Sequence, residues 1–134
     1  MTSVTLAYWM ILAAAFLPYT ATLYSKLAGG GGKTYDNSAP RAQAETLPPQ
    51  RKRAHWAQLN GFEAFPAFAA GVIVAHLAGA AQSCIDTLAV AFVLLRVIYT
   101  FLYIHDKPTA RSLVWFTGFL CVVGLFLAAP LTRT

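Results

Sequence analysis

Apolar residues gather along the chain into four blocks, Val4–Tyr24, Trp56–Ala78, Thr87–Ile104 and Ser112–Ala129, with polar stretches between them. Each block runs 18 to 23 residues, and a helix needs about 20 to cross the hydrocarbon core of a bilayer. Backbone groups in lipid find no water, so a spanning segment must satisfy its own hydrogen bonds, as a helix does. The pattern predicts an all-α membrane protein whose only domain is one small bundle of four transmembrane helices.

The interruptions refine this picture. Pro18 inside the first block predicts a kink. Gly29-Gly30-Gly31-Gly32 has too much backbone freedom to continue a helix. The stretch of about residues 27–52 is polar and carries Pro40, Pro48 and Pro49. It reads as a long irregular loop, either a lid or a linker. The second helix is expected to start near Arg51 as an amphipathic turn and to enter the membrane around Trp56. Along it Ala67, Gly71, Ala75 and Gly79 recur every four residues, a stripe that lets another helix approach closely. Pro66 weakens the backbone hydrogen bonding one turn after Glu63. The remaining connections are short, which makes neighbouring helices antiparallel. The halves of the chain do not resemble each other, unlike those of an inverted-repeat transporter.

Composition agrees: 57% of the 134 residues are hydrophobic and 11% charged, against about a quarter charged in soluble domains. The position of the +5 net charge matters more than its size. Lys26, Lys33, Arg41, Arg51, Lys52 and Arg53 lie between the first and second blocks, and Lys107 and Arg111 between the third and fourth. Basic loops stay on the cytoplasmic side, so both termini are expected to face away from the cytoplasm. No basic stretch is interleaved with base-stacking aromatics, which argues against nucleic acid as a partner. Arg51-Lys52-Arg53 suits anionic lipid headgroups. The two cysteines, Cys84 and Cys121, imply no disulfide framework. The first block lacks a basic leader and exceeds a signal-peptide core, so it reads as retained.

Glu63 and Arg96 stand inside apolar blocks, where a bare charge costs about 2.5–3.5 kcal/mol even on the gentlest scale. At about 1.5 Å per residue, Glu63 lies roughly 10 Å and Arg96 roughly 12 Å from the cytoplasmic edge. Matching depth on antiparallel neighbours predicts an ion pair. Asn60 shares a face with Glu63, and Tyr99 and Tyr103 share one with Arg96. Arg111 and Ser112 open the fourth helix at the mouth. Together these residues predict a polar cleft open to the cytoplasm and suited to a small, charged, peptide-like molecule. The plainer alternative is a folding device, a buried ion pair below an ordinary tyrosine belt. His55, His76 and His105 do not share this site. No metal-ligand spacing is present, and neither is a Ser-His-Asp or Cys-His arrangement.

The segment Trp56–Pro66, with Asn60, Glu63 and Pro66 in an Asn-x-x-Glu-x-x-Pro pattern, resembles the second-helix motif of the MAPEG superfamily. These are membrane-associated proteins in eicosanoid and glutathione metabolism. Arg96–Tyr103, followed by Arg111-Ser112, resembles the third helix and the start of the fourth. The resemblance implies a homotrimer of four-helix subunits with glutathione, as co-substrate, bound between neighbours. Asn60 and Glu63 would hold the tripeptide's polar groups, Tyr99 and Tyr103 would line the pocket, and Arg96 would support Glu63. Arg111 would sit near the sulfur and favour the thiolate, with Ser112 a second group there and Trp115 covering the pocket. Trp56 occupies the position where catalytic members usually carry a glutathione-binding Arg. Arg53 lies nearly one turn earlier, and Lys26 stands for the basic residue usual at the end of the first helix.

The resemblance implies a glutathione-dependent transferase or peroxidase acting on lipophilic electrophiles that arrive from the bilayer, and the compact design without an organelle signal points to a bacterial inner membrane. A non-catalytic lipid-binding or scaffold protein of the same fold is the alternative, since a fold does not by itself settle activity. A small multidrug antiporter would need an unpaired Glu in its first helix, and the first block has no acidic residue.

Overall fold

The computed structural model describes residues 3–132. Four long helices and one short one follow in order: α1 Leu6–Leu27, α2 Pro40–Glu45, α3 Pro49–Leu77, α4 Gln82–Ile104 and α5 Pro108–Thr132. No strand occurs among the described residues. Two prolines expected to mark the loop, Pro40 and Pro49, instead open helices, and Pro108 opens another. Pro40, Pro49 and Pro108 each stand first in α2, α3 and α5, where a missing N–H is no loss and the fixed φ already suits the helix. Helix α3 therefore begins at Pro49, ahead of Arg51. The four glycines form a 3₁₀ turn with Gly29 and Gly30 at φ 61° and 78°, and only glycine enters that region freely.

Helices α3 and α4 form a central pair, with α1 and α5 packed on either flank. The centre is built from small residues and a few large ones. Ala7, Ala14, Ala75 and Ala89 are buried around Phe68, Val72, Ile85 and Leu125. The Phe68 and Phe92 rings stack with centroids 4.1 Å apart. The bulkiest side chains point outward instead: Trp9, Phe16, Leu23, Phe101, Phe116 and Leu120 are all exposed. Water does not tolerate an apolar surface of that extent, whereas lipid tails do. Helices α1, α4 and α5 are each long and apolar enough to cross a membrane. The molecule is an integral membrane bundle, and α3, with Asn60 and Glu63 in its middle, is its most polar long helix.

Close approach is achieved where a side chain is missing. A Cβ on Gly61 would stand 2.8 Å from Pro18 Cγ, so Gly61 lets the proline-bearing part of α1 lie on α3. Gly71 is similarly tight against Leu125 and Phe126 of α5. The small-residue stripe on α3 thus does different things along its length. Gly71 and Ala75 are buried in the bundle, Ala67 lines a cavity, and Gly79 lies past the helix end at φ 76°.

Both inner turns close by the same device. Gly79 N–H donates to the His76 carbonyl at 3.1 Å and Ala80 N–H to Ala75 at 3.0 Å. Asp106 N–H donates to Tyr103 at 3.2 Å and Lys107 N–H to Leu102 at 3.0 Å. These paired bonds satisfy the last carbonyls of α3 and α4. The first turn uses glycine at the left-handed position, and the second uses Asp106 at φ 56°.

The helix ends near the 28–48 segment are held by three consecutive basic residues. Arg51 Nε and Nη2 donate to the carbonyls of Ser25 and Lys26 at 2.6 and 2.9 Å. Lys52 Nζ donates to Glu45 O at 3.0 Å, and Arg53 Nε to Ile104 O at 3.1 Å. One triplet thereby caps α1, α2 and α4, each at its negative C-terminal end. At the opposite end of the bundle, Asp86 Oδ1 accepts the Ala7 N–H at 2.9 Å and caps the start of α1 from α4.

Asp106 is the one described non-glycine residue at positive φ. Replacing it by Gly is expected to raise stability by about 0.5–1 kcal/mol, and by Val to lower it by a similar amount or more. Thermal unfolding in one detergent checks both variants.

Candidate functional site

Arg96 lies in the middle of α4 with 7% of its surface exposed. A buried guanidinium must be partnered. Its Nη2 donates to Asn60 Oδ1 of α3 at 3.0 Å. Arginine has no acceptor, so this contact orients the Asn60 amide with its oxygen toward α4. The Asn60 Nδ2 is then turned to Glu63 Oε2, at a long 3.5 Å. The expected Glu63–Arg96 ion pair is therefore corrected: no such pair forms among the described residues, and a neutral amide stands between the two charges. Glu63 and Arg96 border the same cavity, but Asn60 faces α4, whereas Glu63 faces outward and is exposed on the protomer.

From Arg96 a row of two rings, closed at its far end by a second cation, climbs toward the end of α4. The Arg96 guanidinium carbon sits 4.2 Å from the Tyr99 ring centroid. Tyr99 meets Tyr103 edge to face at 5.7 Å. The Arg111 guanidinium carbon, from α5, lies 4.2 Å from the Tyr103 ring centroid. Each cation-over-ring contact contributes about 0.5–1 kcal/mol when exposed and more when desolvated. The spacing of Arg96, Tyr99 and Tyr103 puts all three on one face of α4. The short turn at residues 105–107 brings Arg111 back over that face.

A cavity of about 250 Å³ opens between α3, α4 and α5, bounded by Asn60, Glu63, Arg96, Phe92, Trp115 and Phe119. Two shallower hollows adjoin it through shared residues. One is walled by Trp56, Glu63, Tyr99 and Tyr103, the other by Asn60, Tyr103, Arg111, Ser112 and Trp115. The whole is a cleft with an apolar inner half and a charged mouth. Trp115 and Phe119 stack at 5.7 Å, nearly parallel, as one flat apolar wall.

Asn60, Glu63, Arg96, Tyr99, Tyr103, Arg111, Ser112 and Trp115 thus border one continuous cleft. Arg53 and Lys26 do not. Arg53 points its Nε at the Ile104 carbonyl, because the end of α4 needs a donor there. Lys26 lies over the Tyr35 ring at 4.7 Å, in a separate cavity on the other side of α3. The residues that the sequence reading did not single out are the apolar lining, Phe92, Phe119 and Gly118, and Ala67 was read there only as a packing position. Only their helical spacing from Trp115 and Glu63 pointed to them. Among the described residues no cluster of His, Cys, Asp or Glu could hold a metal ion. His76 is engaged by Thr5, by the Val72 carbonyl and by the Tyr8 ring.

The arrangement separates structural from free charge. Asn60→Leu leaves Arg96 buried without its acceptor, and is expected to destabilise the bundle by roughly 3 kcal/mol. Glu63→Gln, which removes an outward-facing charge that no cation pairs among the described residues, is expected to leave stability unchanged or higher. Chemical denaturation of both variants in the same micelles checks the contrast, and equal losses would restore the ion-pair reading.

Residues 6–131 match the family model described as "MAPEG family". No curated protein matches the chain, and no solved structure does. The matched range takes in the four long helices, short only of the last residue of α5, and every residue of the cleft. The chain belongs to the MAPEG family.

Proposed function

We propose that this protein is a glutathione-dependent membrane transferase or peroxidase acting on lipophilic electrophiles. The observation that carries the reading is the cleft bordered by Glu63, unpaired with Arg96, and continued by the adjoining hollow that Arg111 borders. The mouth suits a peptide-like thiol. Glu63 would take the ammonium, Asn60 an amide, and the Tyr99–Tyr103 edge the chain between. Arg111, held against Tyr103, would stand by the sulfur. A cation there lowers the thiol pKa, and the thiolate is the nucleophile. In conjugation the thiol proton leaves to water, sulfur bonds to the electrophilic carbon and the leaving group departs with its electron pair. The apolar half, walled by Trp115 and Phe119, would hold the greasy substrate. Ser112 offers a hydroxyl beside the same sulfur.

A homotrimer follows from the same reading. Glu63 is exposed on the protomer at a depth where the surroundings would be hydrocarbon, and a neighbouring subunit would close the cleft and exclude lipid from the charge. In this reading α3 also crosses the bilayer, giving four spans, with the basic loops on the cytoplasmic side of a bacterial inner membrane.

A second reading, a non-catalytic lipid-binding or scaffold protein of the family, is favoured by one observation. Trp56 stands where a glutathione-binding Arg is usual, and the nearby Arg53 is engaged with the Ile104 carbonyl. The antiporter reading has no such support, because α1 contains no Asp or Glu.

Arg111→Ala is expected to lower conjugation of a model aryl halide by roughly a hundredfold while leaving the oligomer intact by size-exclusion chromatography. Unchanged turnover would sink the assigned role. Glutathione at a hundred times its Kd is expected to stabilise the protein by about 2.7 kcal/mol. The absence of any melting shift at millimolar glutathione would favour the scaffold reading.

A further inference from the structure

The thiol tripeptide that the cleft is read as binding has an ammonium and a carboxylate at its γ-glutamyl end. Its thiol is in the middle, and a second carboxylate ends its glycine. The groups described so far leave that second carboxylate without a cation. Arg96 is buried and engaged by the Asn60 amide and the Tyr99 ring. Arg111 stands by the Tyr103 ring, where the reading places the sulfur. Arg53 is turned to the Ile104 carbonyl, and Arg51 to the carbonyls of Ser25 and Lys26. Bringing a carboxylate out of water without a partner costs free energy and returns none.

Lys52 is placed differently from its two neighbours. At about 100° per residue, Lys52, Trp56 and Glu63 fall within about 40° of one another around α3. Arg51 and Arg53 lie about 100° to either side of Lys52. One edge of α3 therefore carries an ammonium, an indole and a carboxylate in that order. The Lys52 Nζ stands 5.7 Å from the centroid of the Trp56 ring. Trp56 in turn borders the hollow that Glu63, Tyr99 and Tyr103 wall. The indole face attracts the cation and keeps it at the rim of that hollow. An ammonium has three N–H donors. Among the described residues one of them is used, on the Glu45 carbonyl at 3.0 Å. Two remain for a carboxylate. The same contact tethers an otherwise flexible stem, which lowers the ordering cost of capturing a ligand.

The separation fits the ligand. Glu63 and Trp56 are seven residues apart, roughly 10 Å along the axis of α3. An extended chain spans at most about 3.3–3.6 Å per residue, so a tripeptide reaches about 10–11 Å. With its ammonium on Glu63, the far end of the peptide reaches Trp56 and the Lys52 ammonium.

We propose that Lys52 is the specificity-determining residue at the outer end of the cleft. Its ammonium, held over Trp56, binds the glycine carboxylate of the thiol tripeptide while Glu63 holds the amino group at the other end. The site thereby selects a co-substrate with a free carboxylate one tripeptide's length from its ammonium. This rests on the glutathione reading and extends it to a side chain that reaches the cleft from outside its walls.

The test compares glutathione with its glycine ethyl ester, the same thiol without that carboxylate. Full-length wild type and variants are assayed in one detergent with a saturating aryl halide, and KM and kcat are read separately. Wild type is expected to show a KM about three- to fivefold higher for the ester at equal kcat. Lys52→Met is expected to raise the glutathione KM by that factor and to leave the KM for the ester where it was. The two thiols then become equivalent. Lys52→Arg is expected to keep the preference. Loss of the Glu45 clasp alone would raise both KM values together and keep their ratio, and that result overturns the assignment. Equal KM values for the two thiols in wild type overturn it as well, whether or not the variants fold. Wild type that neither binds nor turns over glutathione overturns the transferase reading and this inference with it. Wild-type turnover with an unaltered ratio in Lys52→Met overturns this inference alone.

Discussion

A guanidinium buried in the middle of an apolar bundle must have a partner, and the one this protein provides decides the rest of the site. Arg96 takes the Asn60 carbonyl oxygen. A carboxylate would have attracted it more strongly, but two charges would then have cancelled inside the fold. Using a neutral amide keeps Arg96 in place and leaves the Glu63 carboxylate free at the cleft wall. The same guanidinium lies over Tyr99, which starts the row of rings and cations that ends at Arg111. One hydrogen bond thus ties the second and third long helices together, aims the Asn60 amide and sets the floor of the cleft.

The position of α3 follows from its polarity. It carries Asn60, Glu63 and the basic triplet, and it packs against α1, α4, α5 and the short α2. The helix least suited to lipid is therefore the one most surrounded by protein. The helices more apolar than it stand around it and turn Trp9, Phe16, Phe101 and Phe116 outward. Glycine at Gly61 and Gly71 lets α1 and α5 come close enough to do this. Both cavities then flank α3, one open toward α4 and α5, the other roofed by α2.

Much of this was legible in the sequence, and the remainder was not for identifiable reasons. Apolar block length reveals helices because bilayer thickness sets it. Depth along a helix also follows from residue count, which is why Asn60, Glu63, Arg96 and Tyr99 were expected together. Rotation about the helix axis does not follow from counting. Asn60 and Glu63 differ by about 60° around α3, and that angle decides which of them meets Arg96. The prolines were read as breakers because the pattern does not say whether a proline ends one segment or opens the next. Arg53 and Lys26 were placed by resemblance and by position along the chain. The exposed carbonyls at the end of α4 and the Tyr35 ring are features of the folded chain, and those two side chains meet them there. Phe92 and Phe119 were invisible as cavity walls because a phenylalanine facing a hollow and one facing lipid look the same in a sequence.

The basic triplet has a consequence for how the chain can vary. Arg51, Lys52 and Arg53 reach three different helix ends from adjacent positions. A single inserted residue anywhere in that run would swing everything before it by about 100° relative to everything after it. One or two of the three clasps would open, and the helix ends they hold would lose their alignment. Length variation should therefore concentrate upstream, around residues 36–39, where an added residue would only lengthen a surface bend. A reporter tag or a protease site inserted there should be carried without loosening the helices below.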